Sequence, residues 1–279
     1  LLILILAAAM WSISGVAVKV VQAPTPIAFS FWRAVGAAGL MLAFLPFTRG
    51  RWPHPGWALL AGATCAGCTA LLIESMSAGS AAQGIALQYT GPMWTALLAW
   101  VLLGKRFSVH TWIAVALVAA GVALMLAGAF VGTSVNHYAL VTGAASGVCF
   151  GVLILILDHI DKVRPGTDAI RVVFVVHGLC ALLFLPLYLT SSGPPIPPTD
   201  ALAVVTVGVV QLGFPYLLFQ IGMRRTTPVE ASLVSVLEPV LNPIWVWLAV
   251  RENPGPWVLA GGACIVAAVA VEAVKPRNA

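Results

Sequence analysis

The chain has 279 residues, of which 61% are hydrophobic and only 8% charged, whereas a soluble domain carries roughly a quarter charged residues. That composition excludes a water-soluble fold. The formal charge of +5 does not indicate nucleic acid as a partner, because the basic residues sit in pairs between apolar segments and form no single stripe.

A hydrocarbon core about 30 Å thick takes about 20 apolar residues per helix, so the length accommodates about ten spans and short loops. In chain order the apolar windows predict spans at 1–20, 27–47, 57–78, 82–103, 109–129, 137–157, 170–190, 200–222, 229–250 and 256–274. The first window has no basic leader and no small-residue cleavage site, so it is expected to be a retained span and not a signal peptide. Leu1 in place of an initiator Met suggests that the sequence begins inside a longer chain. The breaks have turn chemistry, as in Gln22-Ala23-Pro24-Thr25-Pro26 and Arg51-Trp52-Pro53-His54-Pro55-Gly56, and none is long enough to hold a separate soluble domain.

Ten spans place both termini on one side. The loops on that side carry Arg49, Arg51, Lys105, Arg106, Lys162, Arg164, Arg171, Arg224, Arg225, Lys275 and Arg277. The positive-inside rule makes that side the cytoplasm. A duplicated five-span unit enters the membrane in opposite senses, so any repeat here is inverted. Sparse identities in shared order support one: Phe44-Leu45-Pro46 matches Phe184-Leu185-Pro186, and Pro92, Trp100 and Trp112 match Pro239, Trp247 and Trp257. The expected fold class is therefore an all-α membrane protein, with one five-helix repeat over 1–131 and a second over 132–279.

Pro92 and Pro239 fall near the middle of the fourth and ninth spans, where proline removes a backbone donor and kinks the helix. Equivalent breaks in inverted halves point to a site between them, although membrane helices also tolerate proline for packing. Glu238 precedes Pro239 close to the midplane, where an ionised carboxylate costs at least about 2.5 kcal/mol. It is the proton-coupling candidate, and the competing reading is a carboxyl held by backbone groups freed at the kink. Ser235, Glu238 and Asn242 share one helical stripe. Glu230 opens the ninth span as a cap. Glu74 belongs to an outer vestibule or to the interface. For Arg33 and His177, an ion pair or a loop contact explains an intramembrane position as well as substrate binding does. Cys65-x-x-Cys68 has the spacing of a redox or zinc pair but lacks a second pair, so its thiols are expected to behave as small hydrophobes. There is no HExxH and no phosphate-binding loop, so no metal and no cofactor is expected, and an intramembrane enzyme is the least supported class.

The stretch Met223 to Pro243, with Ala231-Ser232-Leu233 and Leu237-Glu238-Pro239-Val240 at its centre, resembles the drug/metabolite transporter superfamily in its EamA-domain branch. Met10-Trp11-Ser12-Ile13-Ser14-Gly15, Gly91-Pro92 and Leu103-Gly104-Lys105 are similar to the first-repeat pattern, with Lys105 where that pattern has an acid. The resemblance covers essentially the whole chain. It implies an inverted-repeat fold around a central cavity, alternating access, and export of amino acids, aromatic or neutral, or related small metabolites across a bacterial inner membrane. A multidrug or quaternary-cation exporter of the same fold is the alternative. Trp11, Ser14, Tyr89, Trp94, Tyr216, Ser235 and Trp245 are the candidate substrate-binding residues. The expected partners are a small-molecule substrate, the lipid bilayer and protons as coupling ion, with the oligomeric state open.

Overall fold

In hydrocarbon every backbone N–H and C=O must be paired inside its own segment, which leaves the helix as the element available to a chain of this pattern. The computed structural model obeys this: apart from an isolated bridge between Arg51 and Thr167, regular structure among the described residues is helical. The described residues are 1–13, 16–17, 25–79, 81–130, 136–194, 196–251 and 255–274.

The helices, in order, are α1 (Leu2–Trp11), α2 (Pro26–Phe44), α3 (Pro55–Ala78), α4 (Ala81–Gln88), α5 (Gly91–Leu103), α6 (Val109–Phe130), α7 (His137–Val163), α8 (Ala169–Thr190), α9 (Pro198–Val207), α10 (Phe214–Met223), α11 (Pro228–Ser235), α12 (Leu237–Val250) and α13 (Pro256–Ala273). Between α9 and α10 the chain winds as a π-helix over Gly208–Gly213, so the eighth span is continuous from Pro198 to Met223. Eight stretches among the described residues are long and apolar enough to cross a bilayer. Of the other two expected spans, the first is described as a helix from Leu2 to Trp11, its continuation lying partly outside the described residues, and the fourth is divided into α4 and α5. The sixth span runs to Val163, beyond the expected end at 157, because Asp158 and Lys162 pair one turn apart and carry the helix past the apolar window.

Local chemistry explains the boundaries. Pro26, Pro55, Pro198, Pro228 and Pro256 each occupy the first position of a helix, where the missing N–H has no partner to lose. Asn136 caps α7 through the N–H groups of Tyr138 and Ala139, and Asp168 caps α8 through those of Ile170 and Arg171. At the start of α11, Thr227 accepts from the N–H of Glu230 while the Glu230 carboxylate accepts from the N–H of Thr227, so Glu230 is the expected cap. Thr227→Ala is expected to lower stability by about 1 kcal/mol. Thermal unfolding in detergent should show a lower midpoint with an unchanged basal exchange rate.

The packing follows the two-repeat arrangement. If each helix is exchanged for the one five spans away, the pairing of α3 with α7 becomes the pairing of α10 with α1, and both are extensive contacts. The pairs α2 with α8 and α6 with α13 map onto themselves, and they too are major contacts. Gly121 and Gly261 bring α6 and α13 backbone to backbone, since a Cβ on Gly261 would stand 2.5 Å from the Gly121 carbonyl oxygen. The ends of α5 and α12 also match: Gly104 (φ 61°) and Arg251 (φ 59°) both terminate their helices in the left-handed conformation. One core gathers Leu4, Trp11, Leu153, Ile160, Phe184 and Phe219, and a second gathers Ala96, Val118, Leu233 and Ile265. Large apolar side chains such as Leu102, Val141, Leu182, Leu202 and Leu259 remain exposed around the outside, as a lipid-facing surface requires.

Candidate functional site

Two helix breaks organise the interior. Pro92 cannot donate to the carbonyl of Gln88, and the chain turns at Tyr89-Thr90 before α5 begins at Gly91. The Thr90 hydroxyl donates to the Leu87 carbonyl at 2.7 Å, and Thr95 donates to that of Gly91 at 3.0 Å. In the second half Pro239 cannot donate to Ser235, and α11 gives way to α12 at Val236. The hydroxyls of Ser232 and Ser235 donate to the carbonyls of Val229 and Ser232 at 2.8 and 2.7 Å. Side-chain hydroxyls thus bond back to carbonyls of the turn that precedes them at each break.

The breaks face one another. Tyr89, buried at the first, is a side-chain hydrogen-bonding neighbour of the Glu238 carboxyl at the second, and Tyr216 lies within electrostatic reach of Tyr89. Tyr216 in turn stands edge-on to Trp11, with ring centroids 5.0 Å apart, and edge-on to His177 at 4.6 Å. Arg33, half-buried eight residues into α2, is in electrostatic contact with Tyr216, Cys180, Cys65 and Glu238. Its Nη1 donates to Gln211 Oε1 at 3.4 Å, while Gln211 Nε2 donates to the Trp11 carbonyl at 3.1 Å. Gln211 reaches both because it sits in the π-helical segment, where the wider turn re-aims a side chain. Gly208 permits this approach: a Cβ there would lie 2.2 Å from the Arg33 carbonyl oxygen. A charged side chain partly exposed at this depth is accommodated by facing protein or water instead of lipid.

Of the expected substrate-binding residues, Trp11, Tyr89 and Tyr216 come together here with Glu238. Trp245 lies beside them, its indole N–H donating to Ser12 Oγ at 2.7 Å and so tying α12 to the end of α1. Trp94 stands over Thr90, to which its indole N–H donates at 3.2 Å, and packs against Gly151 of α7. Ser235 is buried with its hydroxyl turned onto its own helix. Ser14 lies outside the described residues. The cluster also includes Gln211, and Arg33 and His177, for which sequence reasoning left substrate binding level with an ion pair or a loop contact. Their signal was intramembrane polarity alone.

The cysteine pair is built into packing. Cys68 Sγ accepts from Gln88 Nε2 at 3.3 Å and meets Ser146, whose hydroxyl donates to the Cys68 carbonyl at 2.9 Å. The five thiols are all free, as expected of small apolar residues.

The two ends of the bundle differ. At the end carrying the basic loops, Arg224 Nε donates to Asp161 at 3.2 Å and Gln220 Nε2 donates to the same carboxylate at 3.3 Å. A cleft of about 320 Å³ opens there, lined by Lys105, Asp158, Asp161, Lys162 and Arg224 among others. At the opposite end Asn136 Nδ2 donates to the Ala78 carbonyl at 2.8 Å, and the Tyr138 hydroxyl donates to Glu74 at 3.1 Å. Glu74 is exposed and joins α3 to α7 across the start of the second half.

Comparison with known proteins bears on this arrangement. The EamA-like transporter family matches residues 1–127 and again 137–272. An uncharacterized transporter from Archaeoglobus fulgidus is 26% identical over 231 residues, which is 82% of this chain and 81% of that protein. A solved crystal structure superimposes with a TM-score of 0.78 at 21% identity, covering 97% of this chain and 95% of the other, a likeness of fold.

Proposed function

Because the chain belongs to the EamA-like transporter family, we propose that it exports amino acids, aromatic or neutral, or related small amphipathic metabolites by alternating access. The observation that carries this reading is the meeting of two broken spans, with Tyr89 at one break beside Glu238 at the other. Discontinuous helices in the two inverted halves provide a site that each half can uncover in turn. The lining chemistry suits a solute with an apolar body and polar ends: Trp11, Tyr216 and Phe219 give aromatic surface, and Arg33, Gln211 and Glu238 give polar contacts.

The basic loops favour cytoplasmic termini in a bacterial inner membrane, which puts the cleft at Asp161 and Arg224 on the cytoplasmic side. Proton exchange through Glu238 supplies the drive. The two repeats, divided near residue 131, rock against one another about the midplane. Export is tested in cells that express the protein and are fed dipeptides, which hydrolyse to free amino acids inside. The expected result is release of the amino acids to the medium several-fold faster than from cells lacking the protein. Unchanged release, together with new resistance to lipophilic cations, would favour the multidrug reading.

A further inference from the structure

The interior cation is held in an unusual way for a structural arginine. Arg33 is about 11 Å along α2 from its first residue, taking 1.5 Å per residue, and an ion pair is the ordinary means of keeping such a group at that depth. The ion pairs found among the described residues are Lys162 with Asp158 and Arg224 with Asp161, and neither includes it. Its hydrogen-bond and ring partners are neutral, the Gln211 side-chain oxygen at 3.4 Å and the face of Phe29, 5.5 Å from the guanidinium carbon, and Glu238 acts on it through its field without an ion-pair contact.

Polar atoms around it are also left over, a neutral imidazole offering one donor and one acceptor. Arg33 Nε, Trp11 Nε1 and both ring nitrogens of His177 are buried without a hydrogen-bond partner among the described residues. Trp11 is 5% exposed and His177 1% exposed. Both rings pack edge-on against Tyr216. A buried polar atom with nothing to bond forfeits its hydration without compensation. Several in one neighbourhood, next to a guanidinium, are what an acceptor-rich anionic group would satisfy.

We propose that Arg33, with the Trp11 indole N–H and His177 beside it, forms a subsite that receives the carboxylate of the transported solute, Gln211 holding the guanidinium in place. A single cation among aromatic rings matches a monovalent carboxylate on an apolar body better than a phosphate dianion, which calls for further cations. This deepens the amino-acid reading above and rests on it for the identity of the solute. It separates amino acids from quaternary cations, since the cations offer Arg33 only repulsion. Gln211 is a positioning residue: it bonds both Arg33 and the Trp11 carbonyl, so its loss misplaces both donors without removing either.

The test is binding to purified protein in detergent, by calorimetry, with phenylalanine, 3-phenylpropionate, phenethylamine and phenyl phosphate. The subsite predicts that phenylalanine and 3-phenylpropionate bind at least tenfold tighter than phenethylamine, and that phenyl phosphate does not exceed 3-phenylpropionate. Arg33→Gln should remove that preference and bind phenethylamine at least as tightly as wild type, which also shows that the variant is folded. Arg33→Lys should restore part of the preference, and Gln211→Leu should weaken both carboxylates several-fold. An Arg33→Gln protein with wild-type carboxylate affinity, a wild type that prefers the amine or the phosphate, or no binding of either carboxylate would each overturn the subsite. Arg33-dependent carboxylate binding without any transport would leave the subsite standing and overturn the transporter reading of these solutes.

Discussion

Glu238→Gln is expected to reduce pH-gradient-driven transport at least tenfold while leaving gradient-free exchange within a few-fold of wild type. Gln keeps the shape and hydrogen-bonding capacity of a protonated carboxyl but cannot release a proton, so the variant isolates coupling from folding. The position sets the size of the effect. An ionised carboxylate at this depth costs at least about 2.5 kcal/mol unless it faces protein or water. The Tyr89 hydroxyl and the distant positive charge of Arg33 are the groups shown to face Glu238 across the two breaks. Changing its charge therefore changes the interaction between the two halves, which is what coupling requires. The measurement is solute uptake into proteoliposomes with an imposed pH gradient and without one. Full gradient-driven transport in Glu238→Gln would remove this residue from the mechanism.

The largest structural effect is expected from Gly36→Val, with loss of the protein from the membrane or a fall in its unfolding temperature of many degrees. A Cβ at Gly36 would stand 2.3 Å from the Val205 carbonyl oxygen, and one at Gly208 would stand 2.2 Å from that of Arg33. Both obstructions are backbone, which cannot rotate away as a side chain can. Overpacking of this kind costs about 1–3 kcal/mol even where neighbours give. Here the displacement also separates the π-helical segment from α2 and so breaks the Gln211 to Arg33 contact. Gly39, on the same helix with nothing within 4 Å of its Cβ position, provides the comparison: Gly39→Val is expected to stay within about 0.5 kcal/mol of wild type. If the two variants unfolded at the same temperature, close approach at Gly36 would not be what holds these helices together.

Much of the fold was legible because a bilayer makes few demands and makes them in the sequence itself. The windows around Val109 and Pro256 become spans because apolar length is the requirement, and prolines at first positions mark where Pro26, Pro55, Pro198, Pro228 and Pro256 begin their helices. The inverted repeat followed from an odd number of spans and from the pair Pro92 and Pro239, both of which stand at real breaks. The interior of the site was less legible. Gly208 to Gly213 reads as ordinary helix, and nothing in its composition announces the π-turn that aims Gln211 at Arg33, 178 positions earlier. Ser235 looked like a lining hydroxyl because it shares a stripe with Glu238, but a serine beside a break finds its acceptor in its own preceding turn. Ser12, quoted in the opening motif but given no role there, takes the Trp245 indole N–H from the far half of the chain. Such contacts depend on how helices distant in sequence cross, which hydropathy does not encode, since lipid and core are both apolar.

The measurement that bears most directly on the account is counterflow in liposomes reconstituted with the purified protein, against protein-free vesicles, for a labelled panel of aromatic, aliphatic, hydroxyl and cationic solutes. The account predicts saturable exchange of neutral and aromatic amino acids, with cross-inhibition among them and little competition from lipophilic cations. Exchange confined to lipophilic cations, or no exchange of any member of the panel, would contradict it.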